Sequence, residues 1–204
     1  MSNEPNGDMT IEEGANWLPE ENEATQAFRA AKLAKLNGPS LRIPNKIVSV
    51  PVYEQANGYY CAPATVKQVT QFISGSSKTQ AQIASDLGTT TSGTDMTRIP
   101  DVLNGYIGST HYFYDSMGST SDWFGKIIYS VNQEMPAILD INTRAVDEIP
   151  YNSDGHFVNI SGYNQDTQMI RITDPWKEGL GHRWYSRVGL YNANNNHFRK
   201  AIIW

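Results

Sequence analysis

The sequence predicts an α+β domain in which helices from the first half of the chain pack on an antiparallel sheet from the second half. Two patterns support this prediction. Apolar residues recur at helical spacing between residues 62 and 133, and short β-branched and aromatic runs separated by turns follow from residue 136 onward. The chain has 204 residues, of which 39% are hydrophobic, and this length suits one globular domain with an ordinary core.

The first 46 residues differ in charge from the rest and are interpreted as an N-terminal extension to a main domain at residues 47–204. Residues 1–23 carry seven acidic residues and no basic one, whereas residues 24–46 carry five basic residues and no acidic one. A helix is predicted at about residues 19–36, because a proline suits its first turn and Asn-Gly-Pro follows its end. Two roles stay open for the extension: a leader with a linker helix, or a pro-segment that lies over a cleft of the main domain.

The main domain shows a series of predicted elements. A β-branched run predicts a strand over residues 46–53, and Asn57 and Gly58 form a turn after it. Four helices are then predicted, at residues 62–74, 79–87, 96–105 and 122–133. Five strands are predicted to follow, at residues 137–141, 157–163, 169–173, 183–190 and 201–204, with a short polar loop at residues 192–196.

Composition and charge disfavour several classes of partner. The sequence has no run of about 18 apolar residues, so no membrane-spanning helix is expected. A net charge of −5 and an isoelectric point near 5.3 disfavour binding to a nucleic-acid backbone. The tyrosine, asparagine and aromatic content is typical of an extracellular or cell-surface protein, and a monomer is expected.

Metal and cofactor chemistry finds no support in the sequence. His111, His182 and His197 lie far apart, without the HExxH spacing of a zinc site. A single cysteine excludes an internal disulfide framework and a cysteine-rich metal site. Glycine-rich phosphate loops are also missing from the sequence, so no cofactor is expected.

Cys61 is the strongest candidate for a reactive side chain. It follows a turn and precedes a predicted helix, and Pro63 fits the first turn of that helix. A thiol at a helix N-terminus lies at the positive end of the helix dipole, which favours the thiolate. The alternative interpretation is a buried cysteine that acts as a small apolar residue.

His156 and Asp174 favour the reactive interpretation, because a predicted hairpin brings them together. In a hairpin centred on residue 165, the paired residues are His156 with Asp174, Val158 with Ile172, and Ile160 with Ile170. These side chains would share one face of the sheet, and opposed Cβ atoms lie about 4.5–5.5 Å apart. The carboxylate could then hold one imidazole nitrogen and leave the other for a thiol. Alternatively, His156 ends a strand and Asp174 begins a turn.

Gln55 completes a possible catalytic set. It lies six residues before Cys61, across the predicted turn. A glutamine amide in this place can donate a hydrogen bond to a developing oxyanion, beside the backbone N–H of Cys61. Taken alone, a glutamine is expected at the surface.

Three local motifs, taken together, point to a family. They are Val50-Pro51-Val52-Tyr53-Glu54-Gln55 with Tyr60-Cys61-Ala62-Pro63-Ala64, then Gly155-His156-Phe157-Val158 with Gly162-Tyr163, then Thr173-Asp174-Pro175-Trp176. These motifs resemble the C39-like cysteine peptidases, which share the papain-like fold. The best known relatives are bacterial, the leader-processing peptidase domains of bacteriocin exporters, which cleave after a double glycine. The resemblance covers roughly residues 47–185, and it departs from the common family pattern at Ala62, where glycine is usual.

The resemblance implies a catalytic role for four residues. Cys61 would be the nucleophile and His156 the base that takes its proton. Asp174 would orient His156, and Gln55 would stabilise the oxyanion. These roles together imply a thiol peptidase that needs no cofactor, and the composition described above favours a secreted one.

The expected substrate is a peptide or a protein. Tyr60, Gly155 and Trp176 are expected to contact it, although Trp176 also suits aromatic packing in the core. Three function classes stay open, because papain-like sites support more than one reaction. They are a thiol peptidase, which is the leading hypothesis, an acyl transferase or amidase on the same fold, and a catalytically inactive peptide-binding module.

Overall fold

The computed structural model describes residues 23–36, 43–144, 146–176 and 180–204. Its helices are α1 (Glu23–Leu36), α2 (Cys61–Ser74), α3 (Gln80–Leu87), α4 (Ile99–Ile107), α5 (Thr120–Asn132) and α6 (Arg187–Asn196), with a 3₁₀ turn (Met96–Arg98) before α4. Its strands are β1 (Asn45–Ile47), β2 (Tyr114–Ser116), β3 (Ile138–Ile141), β4 (His156–Asn164), β5 (Met169–Asp174), β6 (Gly181–Ser186) and β7 (Ala201–Ile203). The predicted start of the first helix, at residues 19–22, lies outside the described residues.

The strands form an antiparallel sheet in the order β2-β7-β3-β4-β5-β6. Strand β3 pairs with the first half of β4, where Ile141 lies opposite His156. Strand β1 pairs with the second half of β4, along the same edge as β3, and Ile47 lies opposite Gly162. This combination of helices with an antiparallel sheet confirms the predicted α+β class.

Helices cover both faces of the sheet, and the sheet divides the core into two clusters. Helices α2, α3 and α4 pack on one face, where the buried residues include Val66, Leu87, Leu103, Ile138 and Phe157. Helices α5 and α6 pack on the other face, with Trp123, Ile127, Leu139, Val158, Ile172 and Leu190. Successive side chains of a strand point to opposite faces, so neighbours in β3 and β4 fall in different clusters. No helix in the described ranges is long and apolar enough to cross a membrane.

Helices α2 and α3 lie where the sequence predicts them, to within one residue at each end. Gly75 and Gly88 follow them with φ angles of 69° and 66°, the left-handed conformation that favours glycine. Helix α3 begins with a capping box, in which the side chains of Thr79 and Gln82 bond each other's backbone N–H groups. These local signals explain why the prediction succeeded here.

The strand predicted over residues 46–53 is wrong for most of its length, because β1 ends at Ile47. The N–H of Val48 still donates to the carbonyl of Ser161 at 2.9 Å, and the chain then leaves the edge of β4. Pro51 has no N–H and cannot continue a ladder of hydrogen bonds.

The strand predicted over residues 183–190 is confirmed only as far as Ser186, and the loop predicted over residues 192–196 is wrong. Strand β6 ends at Ser186, whose hydroxyl accepts a hydrogen bond from Gly189 N at 2.9 Å and caps α6. Helix α6 is fixed by tertiary contacts, since the buried Asn194 side chain donates to the carbonyls of Asp140 and Ala201 at 2.8 and 3.0 Å. Sequence analysis also missed β2, a short strand that pairs with β7.

Helix α1, which lies in the predicted N-terminal extension, contacts the rest of the chain through a buried lysine. The ammonium of Lys32 donates to the carbonyl of His111 at 3.0 Å and lies 4.4 Å from a ring centroid of Trp204. Burial lowers the pKa of Lys32 from 10.5 to about 7, although the charge of Asp115 acts in the opposite direction. The folded protein therefore releases a proton from Lys32 at a lower pH than the unfolded chain does.

We expect the free energy of unfolding to increase between pH 7 and 9 because of Lys32. In this range the unfolded chain keeps the Lys32 proton that the folded protein loses, and stability rises with pH whenever the unfolded state binds more protons. One such group contributes at most about 1.4 kcal/mol per pH unit. Urea denaturation should show that Lys32→Met removes this increase and that Lys35→Met, at an exposed position of the same helix, retains it. An identical increase in Lys32→Met and the unmodified protein would contradict the expectation.

Candidate active site

Cys61 is the first residue of α2 and is fully buried. It packs in the same core cluster as Val66 and Phe157. The side chain of the N-cap residue, Tyr60, makes no capping hydrogen bond. The thiol therefore lies at the positive end of the dipole of α2, as the sequence predicts.

Two hydrogen bonds fix α2 along β4. The hydroxyl of Thr65 donates to the carbonyl of Phe157 at 3.0 Å, and the side-chain amide of Asn159 donates to Gln68 Oε1 at 2.7 Å. Thr65 lies one helical turn after Cys61, on the same side of the helix. This arrangement places Cys61 near the beginning of β4, the end that carries His156.

The hairpin of β4 and β5 brings His156 and Asp174 together in a register that differs from the predicted one. Ile160 pairs with Ile172 and not with Ile170, which is a shift of two residues. A shift of two keeps the side chains from His156 to Ile160 on their predicted face of the sheet. His156 therefore contacts Asp174 diagonally, and its Nε2 lies 2.8 Å from Asp174 Oδ1.

A β-bulge accompanies this difference in register. The pairing changes between Ile160 and Gly162, so Ser161 is the extra residue of β4. A Cβ atom on Gly162 would lie 2.9 Å from the carbonyl oxygen of Lys46, because β1 approaches closely here. The glycine inside a predicted strand was the signal that could have indicated the bulge.

The carboxylate of Asp174 is fully buried and accepts three hydrogen bonds. His156 Nε2 and the backbone N–H of Trp176 donate to Oδ1, and the hydroxyl of Tyr151 donates to Oδ2, each at 2.8 Å. These donors compensate for the burial of the charge. A carboxylate only accepts hydrogen bonds, so His156 carries its proton on Nε2.

The other ring nitrogen of His156, Nδ1, is buried and has no hydrogen-bond partner among the described residues. The rings of Tyr151 and Trp176 make T-shaped contacts with the imidazole, with their centroids 5.2 and 5.5 Å from that of His156. With the proton on Nε2, Nδ1 presents a lone pair. An imidazole oriented in this way can accept a proton from a thiol.

Tyr151 is a site residue that sequence analysis missed. Besides donating to Asp174, it stacks on Trp176 with ring centroids 4.3 Å apart. Burial raises the pKa of Tyr151 well above its usual value, and the charges of Asp174 and Cys61 raise it further, so the hydroxyl stays protonated. Tyr151 belongs to none of the three motifs, and an aromatic residue before β4 was the one available signal.

Gln55 lies beside the end of β5. Its backbone N–H donates to the carbonyl of Pro175 at 2.7 Å. Its side chain is buried, with Nε2 donating to the carbonyl of Asn57 at 2.8 Å and Oε1 without a hydrogen-bond partner among the described residues. The amide nitrogen carries a second hydrogen that can donate to another acceptor.

The three residues expected to contact substrate border this cluster. Tyr60 directly precedes Cys61 and is half-buried, and Gly155 directly precedes His156 and is buried. Trp176 packs against the core and also against the His156 ring, as expected for aromatic packing, and its contact with substrate stays a prediction. At the departure from the family pattern, Ala62 is fully buried in the core cluster that holds Cys61.

The remaining histidines have other surroundings. His182 Nδ1 lies 3.0 Å from the hydroxyl of Thr173, and His197 Nε2 lies 3.6 Å from Asp140 Oδ2. His111 contacts the ring of Phe28. In the part of the chain that the structure describes, no three histidine, cysteine or acidic side chains are grouped as metal ligands.

Solved structures with a similar fold include two proteases and a peptidase domain. A double-glycine motif protease from an AMS/PCAT transporter, in complex with a leader peptide, is 14% identical, with a TM-score of 0.51 over 78% of this chain and 91% of that one. Xylellain, a cysteine protease from Xylella fastidiosa, is 13% identical, with a TM-score of 0.56 over 96% and 91%. The peptidase domain of Streptococcus ComA, a bifunctional ABC transporter involved in quorum sensing, is 16% identical, with a TM-score of 0.53 over 76% and 97%. These likenesses confirm the papain-like fold.

Sequence comparison identifies the family. A search of curated proteins gave no match. The family model described as "Peptidase_C39 like family" matches residues 47–201, which is more than half of the chain. The chain therefore belongs to the Peptidase_C39 like family and is a C39-like cysteine peptidase.

Proposed function

We propose that this chain hydrolyses peptide bonds with Cys61 as nucleophile, His156 as base and Asp174 as the residue that orients His156. The observation that carries the proposal is the buried imidazole of His156. Its Nε2 is held 2.8 Å from Asp174, while its Nδ1 has no hydrogen-bond partner in the described ranges. Cys61, which lies at the start of α2 near the beginning of β4, supplies the thiol for this nitrogen.

The reaction begins with proton transfer from the thiol of Cys61 to His156 Nδ1. The thiolate attacks the carbonyl carbon of the scissile peptide bond, and the carbonyl oxygen becomes an oxyanion. His156 then returns the proton to the leaving amine, and the C–N bond breaks to leave an acyl-enzyme. Water, deprotonated by His156, attacks the thioester and releases the acid product with free Cys61.

Asp174 and Tyr151 maintain the orientation and the tautomer of His156 that both proton transfers need. The carboxylate accepts from Nε2 and stabilises the imidazolium that forms after the first transfer. Tyr151 holds the other carboxylate oxygen and, because it stays protonated, remains a donor throughout. The tautomer of His156 is therefore the same at the start of each cycle.

A peptide is the substrate class that the comparisons favour. One protease of similar fold was solved in complex with a leader peptide and is described by its double-glycine motif. We therefore propose a peptide or protein substrate for this chain and use a peptide that ends in Gly-Gly before a fluorogenic leaving group as the first probe. Mass spectrometry of the products, with an added amine, tests the reaction type. A free acid supports hydrolysis, whereas an amide would identify an acyl transferase and an unchanged peptide would identify a binding module.

Replacing Gln55 with alanine should lower kcat about 10²–10³-fold, because the oxyanion then loses one of its two donors, the other being Cys61 N–H. KM should change little, since the donor acts on charge that develops only in the transition state. The control is Gln71→Ala, in α2, whose side chain bonds the carbonyl of Gly75 at the far end of the helix. Equal kcat values for Gln55→Ala and Gln71→Ala would contradict the assignment of Gln55.

A further inference from the structure

A single side chain of α3 holds the backbone on both sides of Gln55. Gln80 Nε2 donates to the carbonyl of Glu54 at 2.6 Å, and the N–H of Ala56 donates to Gln80 Oε1 at 2.9 Å. The amide of Gln80 thus satisfies the acceptor before Gln55 and the donor after it, as a neighbouring strand would. We refer to this pair of hydrogen bonds as the Gln80 clamp.

The opposite side of the same segment is tied to the end of β5. The N–H of Gln55 donates to the carbonyl of Pro175, the residue that follows Asp174, at 2.7 Å. The side chain of Gln55 is held in turn by the carbonyl of Asn57 at 2.8 Å. Gln55 is therefore positioned between the clamp on one side and the His156–Asp174 region on the other.

Gln80 belongs to a helix that packs in the core, whereas the segment that it holds has no regular secondary structure. Gln80 is the first residue of α3, directly after the Thr79 cap, and Ile83 and Leu87 bury the helix in the core. Residues 51–55 have no regular secondary structure. A loop that carries a reacting group needs such support, because donors must lie about 2.7–3.1 Å from the oxyanion.

We propose that Gln80 is a positioning residue that sets the place of the Gln55 amide for catalysis. This inference rests on the proposed function, in which Gln55 donates to the oxyanion. Gln80 acts through Gln55 and does not touch the substrate. A misplacement of about 1 Å can lower a rate by about 100-fold, so loss of the clamp should affect turnover far more than folding. Both hydrogen bonds of the clamp are exposed to solvent, which lets the backbone bond water when Gln80 is removed.

The test is a double-mutant cycle of Gln80→Ala and Gln55→Ala, with the Gly-Gly fluorogenic peptide as substrate. Gln80→Ala alone should lower kcat about 10–100-fold and leave KM within about twofold. In the Gln55→Ala background, Gln80→Ala should change kcat less than about twofold, because the group it positions is already absent. Alkylation of Cys61 by iodoacetamide forms no oxyanion and should proceed at the same rate in all four proteins.

Two further variants separate positioning from a general effect on α3. Gln80→Glu keeps an acceptor for Ala56 N–H but loses the donor to Glu54, so its kcat should lie between those of the unmodified protein and Gln80→Ala. Gln82→Ala removes one of the two hydrogen bonds of the capping box, from Thr79 N–H to Gln82 Oε1, and leaves the clamp intact, so its kcat should be unchanged.

The outcomes distinguish the clamp from the proposed function. If Gln55→Ala lowers kcat and Gln80→Ala does not, the positioning role of Gln80 is overturned and the proposed role of Gln55 stands. Equal losses from Gln80→Ala in both backgrounds, or an equal loss from Gln82→Ala, would assign Gln80 a merely structural role. An unchanged kcat in Gln55→Ala would overturn the oxyanion assignment and the clamp with it.

Discussion

Replacing Cys61 with alanine should lower kcat for peptide hydrolysis by about 10⁶-fold, the loss expected when a nucleophile is removed from a catalytic unit of this kind. Without the sulfur, no acyl-enzyme forms, and His156 has no thiol to deprotonate. The fold should survive, because alanine suits the first turn of α2 and the removed atom is small. The measurement is turnover of the Gly-Gly peptide, with the thermal transition as a check on folding.

The acyl-enzyme gives this prediction a second readout. Cys61 is the only cysteine of the chain, so a thioester would add the mass of the acyl group to the intact protein at one defined residue. Rapid quenching of the unmodified protein with substrate should reveal this adduct, and Cys61→Ala should show none. Turnover by Cys61→Ala within tenfold of the unmodified rate would contradict covalent catalysis.

Replacing Asp174 with alanine should lower kcat by about 10⁴-fold, as removal of the orienting acid does in comparable triads. Three buried donors, from His156, Tyr151 and Trp176, would lose their acceptor at once. Each unsatisfied buried donor costs about 1–3 kcal/mol, so the thermal transition should also fall. Turnover is therefore to be measured well below the transition temperature of the variant.

Asp174→Asn separates orientation from charge. Oδ1 of Asp174 accepts hydrogen bonds from both Trp176 N–H and His156, so the oxygen of the introduced amide should occupy the position of Oδ1. The NH₂ group should then face the hydroxyl of Tyr151, whose oxygen can accept a hydrogen bond. The tautomer of His156 would be preserved and only the charge lost, so kcat should fall clearly less than it does in Asp174→Ala. Equal losses in both variants would contradict the claim that Asp174 acts chiefly by holding His156.

Local signals predicted the helices of the first half because the deciding residues lie next to one another. Gly75 and Gly88 end α2 and α3 through their own backbone conformation and not through contacts with distant residues. Helix α6 could not be predicted in this way. Its sequence favours a strand and then a polar loop, and contacts distant in sequence decide its structure, among them the Asn194 side chain between the carbonyls of Asp140 and Ala201.

The contact of His156 with Asp174 was predicted from alternation alone, although the register was wrong. Alternation defines only the face of the sheet, and a shift of two residues leaves that face unchanged. The register depends on the turn, where Asn164 pairs with Met169, and on the bulge between Ile160 and Gly162. The apolar residues along β4 carry no information about either feature.

Tyr151 and Gln80 show the limit of the sequence for the site. Both are ordinary residues in their local context, one in a loop and one at the start of a helix. They acquire their roles only when folding brings Tyr151 to Asp174 and Gln80 to the backbone around Gln55. No local spacing specifies such contacts, whereas the motifs around Cys61, His156 and Asp174 are compact enough to be recognised.

The most direct test of the account is the pH dependence of Cys61 alkylation by iodoacetamide, because it reports the thiolate–imidazolium pair. Each protein is compared with itself at pH 6 and pH 8, so differences in access to the buried sulfur cancel. The account predicts that the unmodified protein and His182→Ala react at similar rates at both pH values, whereas His156→Ala reacts far more slowly at pH 6, as an unpaired thiol does. A steep and identical increase from pH 6 to pH 8 in all three proteins would contradict it.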